Sequence, residues 1–496
     1  MSTVVVEGLT TRLKIGMEVH VELATRTKMW TAAPNVAHPE FFDAAPNTLL
    51  DPVVLGLPGS LPVVNAAAVE MSIKVGLALG CSIAPFTKWD RKSYYYPDLP
   101  KNYQISQYDL PLCSSGQFEI TDENGVQQTI RIRRAHLEED AGKLLHEAPG
   151  GYRIEHSIVD LNRAGTPLLE IVTEPDLTSA KQVAIFAQEL QKLVQFLGVS
   201  EGQMQMGHMR FEPNINVHIT DGDGNIHRTA ITEIKNLNSF SVLERATTYE
   251  VQRQLNEWLE TGSLGRKSTY GWDEASETTF HQRDKEEAHD YRYFPDPDLV
   301  PVEVDAAWLT ELRAQVGELP AARRKRYIET LGLSPADAST LAGDRATGDF
   351  YEHAIRAGGE PKRVSNLILS HGRRLCNERG CTLSELGLLP ERVAEIARLI
   401  DANTIAASAV GPIFDKLMEE DAPAEQIAKA LGLIQVSDSA AIDFAIDAAL
   451  AANPKAVEDF RAGKQAALGA LTGAVMRNAK GMNPKLVQQR LRERLA

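Results

Sequence analysis

Cysteine is scarce in this sequence of 496 residues. The four cysteines, Cys81, Cys113, Cys376 and Cys381, form no CxxC pair and are too few for a disulfide framework. We therefore expect buried free thiols rather than a zinc site. No apolar run is long enough to cross a bilayer, and the first residues lack the basic segment and apolar stretch of a secretory signal. The sequence thus predicts a cytoplasmic protein with no membrane association.

Three common catalytic motifs are also missing. The P-loop pattern GxxxxGK[ST] does not occur, and the nearest stretch, GSLGRKST, has Arg266 where the pattern needs the lysine after Gly265. No GxSxG nucleophile elbow is present, and no cysteine lies in a nucleophile motif. These absences exclude a P-loop nucleotide site and a serine hydrolase. A nucleotide would have to be held through a metal ion on carboxylates.

Positive charge is scarce overall but concentrated in one place. The chain has a formal net charge of −15, which argues against nucleic-acid binding over its whole surface. The segment 460–496 nevertheless carries eight Lys and Arg against one acidic residue, Glu493. A basic tail on an acidic body predicts local, salt-sensitive contacts with phosphates, although a solvated basic helical face is the simpler alternative.

Periodicity divides the chain into a mixed first part and a helical second part. Strand-like alternation is clearest at 13–23, 128–134 and 210–219, and helical spacing follows a Thr178/Ser179 cap. Beyond Val304 the strand signals vanish. We predict an α+β protein whose antiparallel-sheet cradle domain is followed by an all-α middle domain and a small all-α tail domain. The predicted domains are 1–303, 304–422 and 423–496.

The stretch KIGMEVHVEL places three polar groups in a row on one strand face. Glu18, His20 and Glu22 alternate with apolar residues, so they stand about 6.5–7 Å apart. Other segments of the same domain supply further acidic residues, namely Glu138, Glu139, Asp140, Glu170, Glu212 and Glu233. Carboxylates brought together on one sheet need a counter-charge, and Mg²⁺, which also brings nucleotide phosphates, is a natural one. The alternative is a solvated sheet face that binds nothing.

Several long motifs resemble one known family. These are IGMEVHVEL, YYYPDLPKNYQISQYDLPLC, RAHLEEDAGK, DLNRAGTPLLEIVTEPD, EIKNLNSF and KEEAHDYRYFPDPDL, which occur in order along nearly the whole chain. They are similar to motifs of the B subunits of the aspartyl/glutamyl-tRNA amidotransferases. The C-terminal segment is similar to the small helical domain of that family.

The resemblance implies a fold, a reaction and partners. The first domain is expected to resemble the glutamine synthetase catalytic fold and to use ATP and Mg²⁺. It would phosphorylate the side-chain carboxylate of mischarged Glu-tRNA(Gln) or Asp-tRNA(Asn), after which ammonia displaces the phosphate. Ammonia would come from glutamine through an amidase (glutaminase), the A subunit, and a small C subunit would complete the complex. No residue states which of the two tRNAs is the substrate.

The resemblance also implies roles for individual residues. The expected metal ligands are Glu18, His20, Glu139, Glu170 and Glu212, and Glu139 and Glu170 are also the expected catalytic residues. Residues expected to hold ATP, phosphate or substrate are Asn162, Arg163, Thr166, Arg210, Asn214 and Arg292. Those expected on the ammonia path or at the tRNA acceptor end are Lys88, Tyr96 and Lys101. In the tail, the expected tRNA contacts are Lys464, Arg477, Lys480 and Lys485.

One motif departs from the family pattern Gly-Ser-Leu/Met-Arg-Cys-Asp-x-Asn. The chain reads GHMRFEPN, with His208, Phe211 and Glu212 at the positions of Ser, Cys and Asp. Glu212 keeps a carboxylate that is one methylene longer, whereas Phe211 excludes a cysteine ligand. Two other functions remain open at this point: a non-catalytic tRNA-binding scaffold, and a stand-alone ligase that resembles glutamine synthetase and acts on a free amino acid.

Overall fold

The computed structural model describes residues 5–6, 9–148, 152–284, 288–435, 439–478 and 482–495. The chain divides into two compact units, Met1–Leu319 and Pro320–Ala496. The first is mixed α and β and the second is mostly helical, which confirms the predicted α+β class. Among the described residues, no helix is long and apolar enough to cross a membrane.

Strands occur in the first unit. In chain order they are β1 (Val5–Val6), β2 (Leu9–Glu22), β3 (Ser82–Ile83), β4 (Phe86–Thr87), β5 (Asp90–Ser93), β6 (Tyr103–Ser106), β7 (Cys113–Thr121), β8 (Gln127–Glu139), β9 (Lys143–Ala148), β10 (Tyr152–Asp160), β11 (Pro167–Thr173), β12 (Met209–Thr220), β13 (Ile226–Arg228), β14 (Thr232–Lys235), β15 (Ser268–Asp273), β16 (Thr278–Asp284), β17 (Phe294–Pro295) and β18 (Val302–Glu303).

Helices occur in both units. The first unit contains α1 (Ala66–Ala78), α2 (Ala180–Phe196), α3 (Phe240–Thr261) and α4 (Ala306–Val316). The second contains α5 (Pro320–Glu329), α6 (Pro335–Gly343), α7 (Arg345–Arg356), α8 (Pro361–Leu367), α9 (Arg373–Arg379), α10 (Pro390–Asp401), α11 (Val410–Leu417), α12 (Ala424–Ala430), α13 (Ser439–Ala452), α14 (Pro454–Arg461), α15 (Ala466–Asn478) and α16 (Pro484–Leu495).

One sheet of eleven strands organises the first unit. Its strand order is β16-β15-β14-β12-β2-β11-β8-β7-β3, with β1 paired to β2 and β13 paired to β12. β14 and β15 pair in parallel, and the other pairs described in this sheet are antiparallel. The long strand β2 lies between β12 and β11. Side chains from three long strands therefore meet near the centre of the sheet.

The two faces of the sheet differ because the strands alternate. Ile15, Val19 and Val21 of β2 have no exposed surface and belong to the main hydrophobic core. Helices α1, α2 and α3 contribute to this core and cover the apolar face. The hydroxyl of Ser179 accepts a hydrogen bond from the backbone N–H of Gln182, so α2 begins where the sequence predicts a cap. The opposite face carries the polar residues of the alternation.

Removing a core side chain should destabilise the first unit strongly. Phe186 of α2 is fully buried and lies edge-on to Phe118 of β7, with ring centroids 5.8 Å apart. We expect Phe186→Ala to lower the free energy of unfolding by about 3–5 kcal/mol because it leaves a cavity. Denaturant unfolding followed by tryptophan fluorescence measures this unit selectively, since all the tryptophans lie in it: Trp30, Trp89, Trp258, Trp272 and Trp308. Tyr152→Ala, at a side chain 73% exposed, is the control, and a loss below about 1 kcal/mol for Phe186→Ala would contradict the packing.

The described residues of the second unit form two separate hydrophobic cores. Residues between Tyr327 and Ala428 form one, and residues between Ile442 and Leu495 form the other. Leu312 and Val316 of α4 are buried in the core of the first unit, which extends to Leu319. The division into three domains at 303/304 and 422/423 stays a prediction.

Candidate functional site: a carboxylate–histidine cluster on the open sheet face

Strand register aligns the polar faces of four neighbouring strands. His20 of β2 lies opposite Glu170 of β11, and Glu170 in turn lies opposite His136 of β8. On the other side of β2, Glu18 is paired with Glu212 of β12. Side chains directly opposite each other across antiparallel strands are near neighbours. The four strands therefore bring acidic and imidazole groups to one place.

These side chains form a compact group, here called the carboxylate–histidine cluster. His20 Nε2 is 3.6 Å from Glu170 Oε2, 3.8 Å from Glu138 Oε1 and 3.9 Å from Glu18 Oε1. His136 Nε2 is 3.5 Å from Glu170 Oε2. Within the part of the chain that the structure describes, three sets of residues each have ligand atoms within 4.8 Å of one another. The sets are Glu18, His20 and Glu170; His136, Glu138 and Glu170; and Glu18, Glu212 and Glu233.

Burial and mutual charge set the protonation of the cluster. Burial by itself lowers the pKa of His20, but the hydrogen bond with Glu170 and the charge of Glu212 outweigh it and raise that pKa to about 9. Burial lowers the pKa of His136 to about 3. Burial, followed by the neighbouring Glu170, raises the pKa of Glu138 to about 7. At neutral pH the two histidines thus differ in charge, and Glu138 gains or loses a proton easily.

Two lysines supply positive charge beside the carboxylates of the cluster. Lys235 Nζ lies 2.7 Å from Glu212 Oε2. Lys92 Nζ stands 4.8 Å from the centre of the Tyr291 ring, and the charge of Glu138 and Glu170 raises its pKa although burial opposes this. Clustered carboxylates stay ionised in a buried place only when cations are near them. The lysines hold part of the cluster in its charged form.

A second polar group adjoins the cluster at the carboxyl end of β2. Arg210 Nη1 lies 2.7 Å from Asp140 Oδ2 and 3.3 Å from Glu22 Oε1, and Arg163 Nε lies 3.6 Å from Asp140 Oδ2. Burial raises the pKa of Asp140, yet the two guanidinium groups outweigh burial and hold it well below its usual range. Burial and Asp140 raise the pKa of Glu22 to about 8. We call these four residues the arginine–carboxylate group.

The cluster, together with Asp140, Arg163 and Arg210 of the second group, lines one cavity of about 510 Å³ on the open face of the sheet, here called the main cavity. Its wall also contains the aromatic side chains Tyr94, Tyr108, Tyr291 and Tyr293. Tyr108 and Tyr293 stack with ring centroids 4.3 Å apart. A cavity of this size, with a few convergent charged groups and shifted pKa values, is the usual form of a small-molecule or catalytic site.

The chain is similar to known proteins over nearly its whole length. The family model described as the GatB/GatE catalytic domain matches residues 13–310, and the GatB domain matches residues 349–495. The B subunit of the aspartyl/glutamyl-tRNA(Asn/Gln) amidotransferase from Carboxydothermus hydrogenoformans is 44% identical over 484 residues, which cover 97% of this chain and 98% of the relative. The chain belongs to this B-subunit family.

Other relatives of the family agree over the same length. The B subunit from Moorella thermoacetica is 44% identical over 483 residues, covering 97% of this chain and 99% of the relative. The B subunit from Rhodopirellula baltica is 44% identical over 487 residues, which cover 97% of this chain and 96% of the relative. The family resemblance predicted from the motifs is confirmed.

The structure brings four of the five expected metal ligands together and leaves Glu139 outside. Glu139 pairs with Lys101 and accepts a hydrogen bond of 3.0 Å from the backbone N–H of Ile105. Along β8, Glu139 lies on the same face of the strand as the buried Ala135 and Leu137. Glu138 lies on the other face, with His136 and the cluster. The expectation that Glu139 lies with Glu18, His20 and Glu170 is wrong in this respect. Glu138 occupies the place instead.

A β-bulge explains this exchange. In β8 the buried apolar residues are Ile130 and Ile132 and then, with opposite parity, Ala135 and Leu137. The register of β8 against β11 shifts between Ile132 and Arg134. One inserted residue turns every later side chain to the other face. Unbroken alternation from Ile130 would have placed Glu139 on the polar face.

The residues expected to hold ATP, phosphate or substrate fall into three settings. Arg163 and Arg210 line the main cavity, and Asn214 lines a neighbouring cavity; their role in binding stays a prediction. Asn162 and Thr166 are buried in loop contacts: Asn162 Oδ1 accepts from the backbone N–H of Thr48 and Leu49, and Thr166 donates to Asn35. Arg292 is exposed and donates to the Tyr95 hydroxyl.

The residues expected on the ammonia path lie outside the cluster. Lys88 pairs with Asp90 and with Asp109, at 2.7 Å from the latter. Tyr96 is 49% exposed, and its hydroxyl accepts a hydrogen bond from Arg283. Lys101 pairs with Glu139 at a buried position. Tyr96 thus reaches the wall of the cavity through Arg283, whereas Lys88 and Lys101 pair with carboxylates that are not part of the cluster.

The residues of the site that sequence reasoning missed include His136, Lys92 and Tyr94. Arg134, His136 and Glu138 do alternate, so they carry a strand signal, but the bulge hides which face they occupy. Lys92 and Tyr94 come from the short strand β5 and the loop after it, where no periodicity marks a functional face. Contacts between distant segments, such as Lys92 with Tyr291, gave no local signal.

Proposed function

We propose that this chain activates the side-chain carboxylate of Glu or Asp esterified to a mischarged tRNA with ATP and then amidates it. The relatives are named as the B subunit of an aspartyl/glutamyl-tRNA(Asn/Gln) amidotransferase. The observation that carries the proposal is the carboxylate–histidine cluster, which shares one cavity with two arginines. Phosphoryl transfer requires mainly positioning of the reactants and neutralisation of charge. The carboxylates of this cavity can bind a cation, and its arginines can bind phosphate oxygens.

The cluster fits a Mg²⁺ ion. Glu18, Glu170 and Glu212 offer carboxylate oxygens, which are the ligands this hard cation prefers. Among the described residues, His20 Nδ1 and His136 Nδ1 are buried without a hydrogen-bond partner. Glu18 would hold the ion either with His20 and Glu170 or with Glu212 and Glu233, since the ligand atoms within each of these sets lie within 4.8 Å of one another. The bound ion would neutralise charge on the phosphates of ATP.

The proposed reaction has two steps. A carboxylate oxygen of the aminoacyl side chain attacks the γ-phosphorus of ATP, giving an acyl phosphate and ADP. The lone pair of ammonia then attacks the acyl carbon, the C–O bond to phosphate breaks, and a proton is lost to give the amide. Arg163 and Arg210 lie where they can bind the anionic carboxylate or the departing phosphate. The aromatic wall restricts water, which would otherwise hydrolyse the acyl phosphate.

Ammonia has to arrive from a partner, because this chain carries no recognised nucleophile motif for glutamine hydrolysis. We infer that an amidase, the A subunit, supplies it and that a small C subunit completes the complex. The buried Lys101–Glu139 pair, together with Lys88 and Tyr96, is the proposed path of ammonia or contact with the acceptor end. The cradle with the open sheet face is proposed to resemble the glutamine synthetase fold.

A direct test mixes the assembled complex with Glu-tRNA(Gln) or Asp-tRNA(Asn), ATP, Mg²⁺ and glutamine. The expected result is ATP-dependent formation of Gln-tRNA(Gln), Asn-tRNA(Asn) or both. Turnover of ATP with free glutamate and no tRNA would favour a stand-alone ligase. Binding of tRNA with neither ATP consumption nor amidation in the complete mixture would favour a scaffold. Either outcome would overturn the proposal.

The basic tail is proposed to bind tRNA phosphates outside the acceptor end. Lys464, Arg477 and Lys485 are exposed on or next to α15 and α16, and Lys480 lies outside the described residues. Lys464 forms an exposed ion pair with Asp459, which phosphate can replace at little cost. These positions give affinity that does not depend on base sequence.

Neutralising the tail should weaken tRNA binding and its dependence on salt. For Lys464→Gln, Arg477→Gln and Lys485→Gln combined, we expect the slope of log K against log[salt] to fall by roughly 2–3, because up to three phosphate contacts are lost. Filter binding of mischarged tRNA to the assembled complex measures this slope. The control changes three other exposed cations of the second unit to Gln: Lys362, Arg379 and Lys429. An equal loss in both variants would contradict the assignment.

A further inference from the structure

Two cysteines lie close together at the end of α9. Cys376 belongs to the last turn of this helix, and Cys381 is the second residue after it. Both are free and partly exposed, whereas Cys81 and Cys113 are free and buried. The buried thiols expected from the sequence are therefore found in the first unit, while the second unit contains a pair of partly exposed cysteines.

The cap of α9 brings the backbones of these two cysteines together. Gly380, at the helix end, has φ +64° and ψ +35°, the left-handed conformation that favours glycine. The backbone N–H groups of Gly380 and Cys381 both donate to the carbonyl oxygen of Cys376, the second over 3.1 Å. The chain thus turns back onto the helix at once. Standard bond lengths then hold the Cα atoms of the two cysteines within about 7 Å of each other.

This type of cap also places the two side chains side by side. At such a helix end, the second residue beyond the helix contacts the residue of the last turn whose carbonyl it caps. Here those residues are Cys381 and Cys376, and both pack against the same hydrophobic core of the second unit. Burial raises the pKa of the Cys376 thiol, and the neighbouring Cys381 thiol raises it further. The two sulfurs are therefore neighbours across the end of α9.

We propose that Cys376 and Cys381 form a reversible disulfide bond that closes a ring at the C-terminus of α9. Disulfide bonds join Cα atoms that are about 4.4–6.8 Å apart, so the cap already brings the two residues to a suitable separation. The oxidant is a small-molecule disulfide, and a small-molecule thiol reverses the reaction. The inference goes beyond the proposed function, because both thiols lie in the second unit and the carboxylate–histidine cluster lies in the first.

The exchange takes two steps. One cysteine thiolate attacks a sulfur of the small-molecule disulfide, whose S–S bond breaks, so that one small thiolate leaves and a mixed disulfide remains on the protein. The second cysteine thiolate attacks the protein sulfur of this mixed disulfide, and the second small thiolate leaves. The two released thiolates take up the two protons that the cysteines lose. The two cysteines are oxidised and the small disulfide is reduced.

The bond would fasten the segment that follows α9. Leu383, Leu386 and Leu388 of this segment are buried in the core of the second unit. A covalent ring between the last turn of α9 and the start of the segment restricts the unfolded chain and limits fraying of the helix end. Oxidation therefore acts on the connection between α9 and α10.

Equilibration of the full chain in glutathione buffers tests the proposal. After acid quenching and alkylation of free thiols, tryptic cleavage at Arg379 separates the two cysteines into peptides 375–379 and 380–392. Mass spectrometry should find these two peptides joined by a disulfide in the folded protein, with Cys81 and Cys113 reduced and alkylated. The equilibrium constant for the bond should be at least about tenfold larger in buffer than in urea, because the cap holds the thiols together.

The matched controls are Cys376→Ser and Cys381→Ser. Each variant keeps one thiol of the pair and should give its mixed disulfide with glutathione but no linked peptides. Mixed disulfides without linked peptides in the original chain would overturn the inference, as would linkage between two molecules, seen as a dimer on a non-reducing gel. An equal equilibrium constant in buffer and in urea would also overturn it, since the cap would then not position the thiols.

Discussion

Replacing Glu170 by Gln is expected to lower kcat/KM for amidation of mischarged tRNA by roughly 100- to 1,000-fold. Glu170 belongs to two of the three sets of possible ligands and contacts both histidines, at 3.6 Å and 3.5 Å. Burial raises the pKa of Glu170, but the protonated His20 and Lys92 outweigh burial and hold this pKa below its usual range, so Glu170 is ionised at neutral pH. Glutamine keeps the size of the side chain but removes the charge.

The loss should appear in ATP consumption as well as in amide formation, because Glu170 is assigned to phosphoryl transfer. Assays of tRNA-dependent ADP release and of amidated tRNA, made on the same assembled complex, measure both. Glu119→Gln is a matched control, since Glu119 is an exposed residue of β7 in the same sheet. Thermal unfolding of both variants separates catalytic loss from misfolding. Normal ADP release by folded Glu170→Gln would remove Glu170 from the reaction.

Much of the fold follows from local patterns in the sequence. The alternation at 13–23 predicted the central strand β2, and its apolar residues do form the core. Helix α2 begins at Ser179, where a hydroxyl cap precedes the helical spacing. These elements are predictable because period and capping act over a few residues. The loss of strand signals beyond Val304 likewise predicted the mostly helical second unit.

The composition of the site was less predictable because it depends on register and on distant contacts. Glu18 and His20 lie in one strand and were found from its alternation. Glu138 was not preferred over Glu139, because one bulge in β8 decides which of two adjacent carboxylates faces the cavity. Lys92 meets Tyr291 across about 200 residues of chain, a contact fixed by the tertiary fold. Local periodicity contains no information on such pairs.

The adjacent residues Glu138 and Glu139 give the sharpest test of the register. We expect Glu138→Gln to lower tRNA-dependent ATP consumption about 100-fold or more, since Glu138 Oε1 lies 3.8 Å from His20 Nε2 in the cluster. Glu139→Gln should leave ATP consumption within about threefold of the original, because that side chain lies on the other face with Lys101. ADP release by the assembled complex, with mischarged tRNA present, measures both.

The order of the two variants should reverse for stability: Glu139→Gln, which keeps its activity, should be the less stable protein. Glu139→Gln breaks a buried ion pair and leaves Lys101 without its partner charge, so we expect a loss of about 3–5 kcal/mol in the free energy of unfolding. Glu138→Gln removes one charge from a crowded acidic group, so we expect a change of less than about 1 kcal/mol in the absence of Mg²⁺. Denaturant unfolding followed by tryptophan fluorescence checks both values. A Glu139→Gln protein that stays folded but consumes no ATP, beside an active Glu138→Gln protein, would show that the cluster uses the opposite parity of β8.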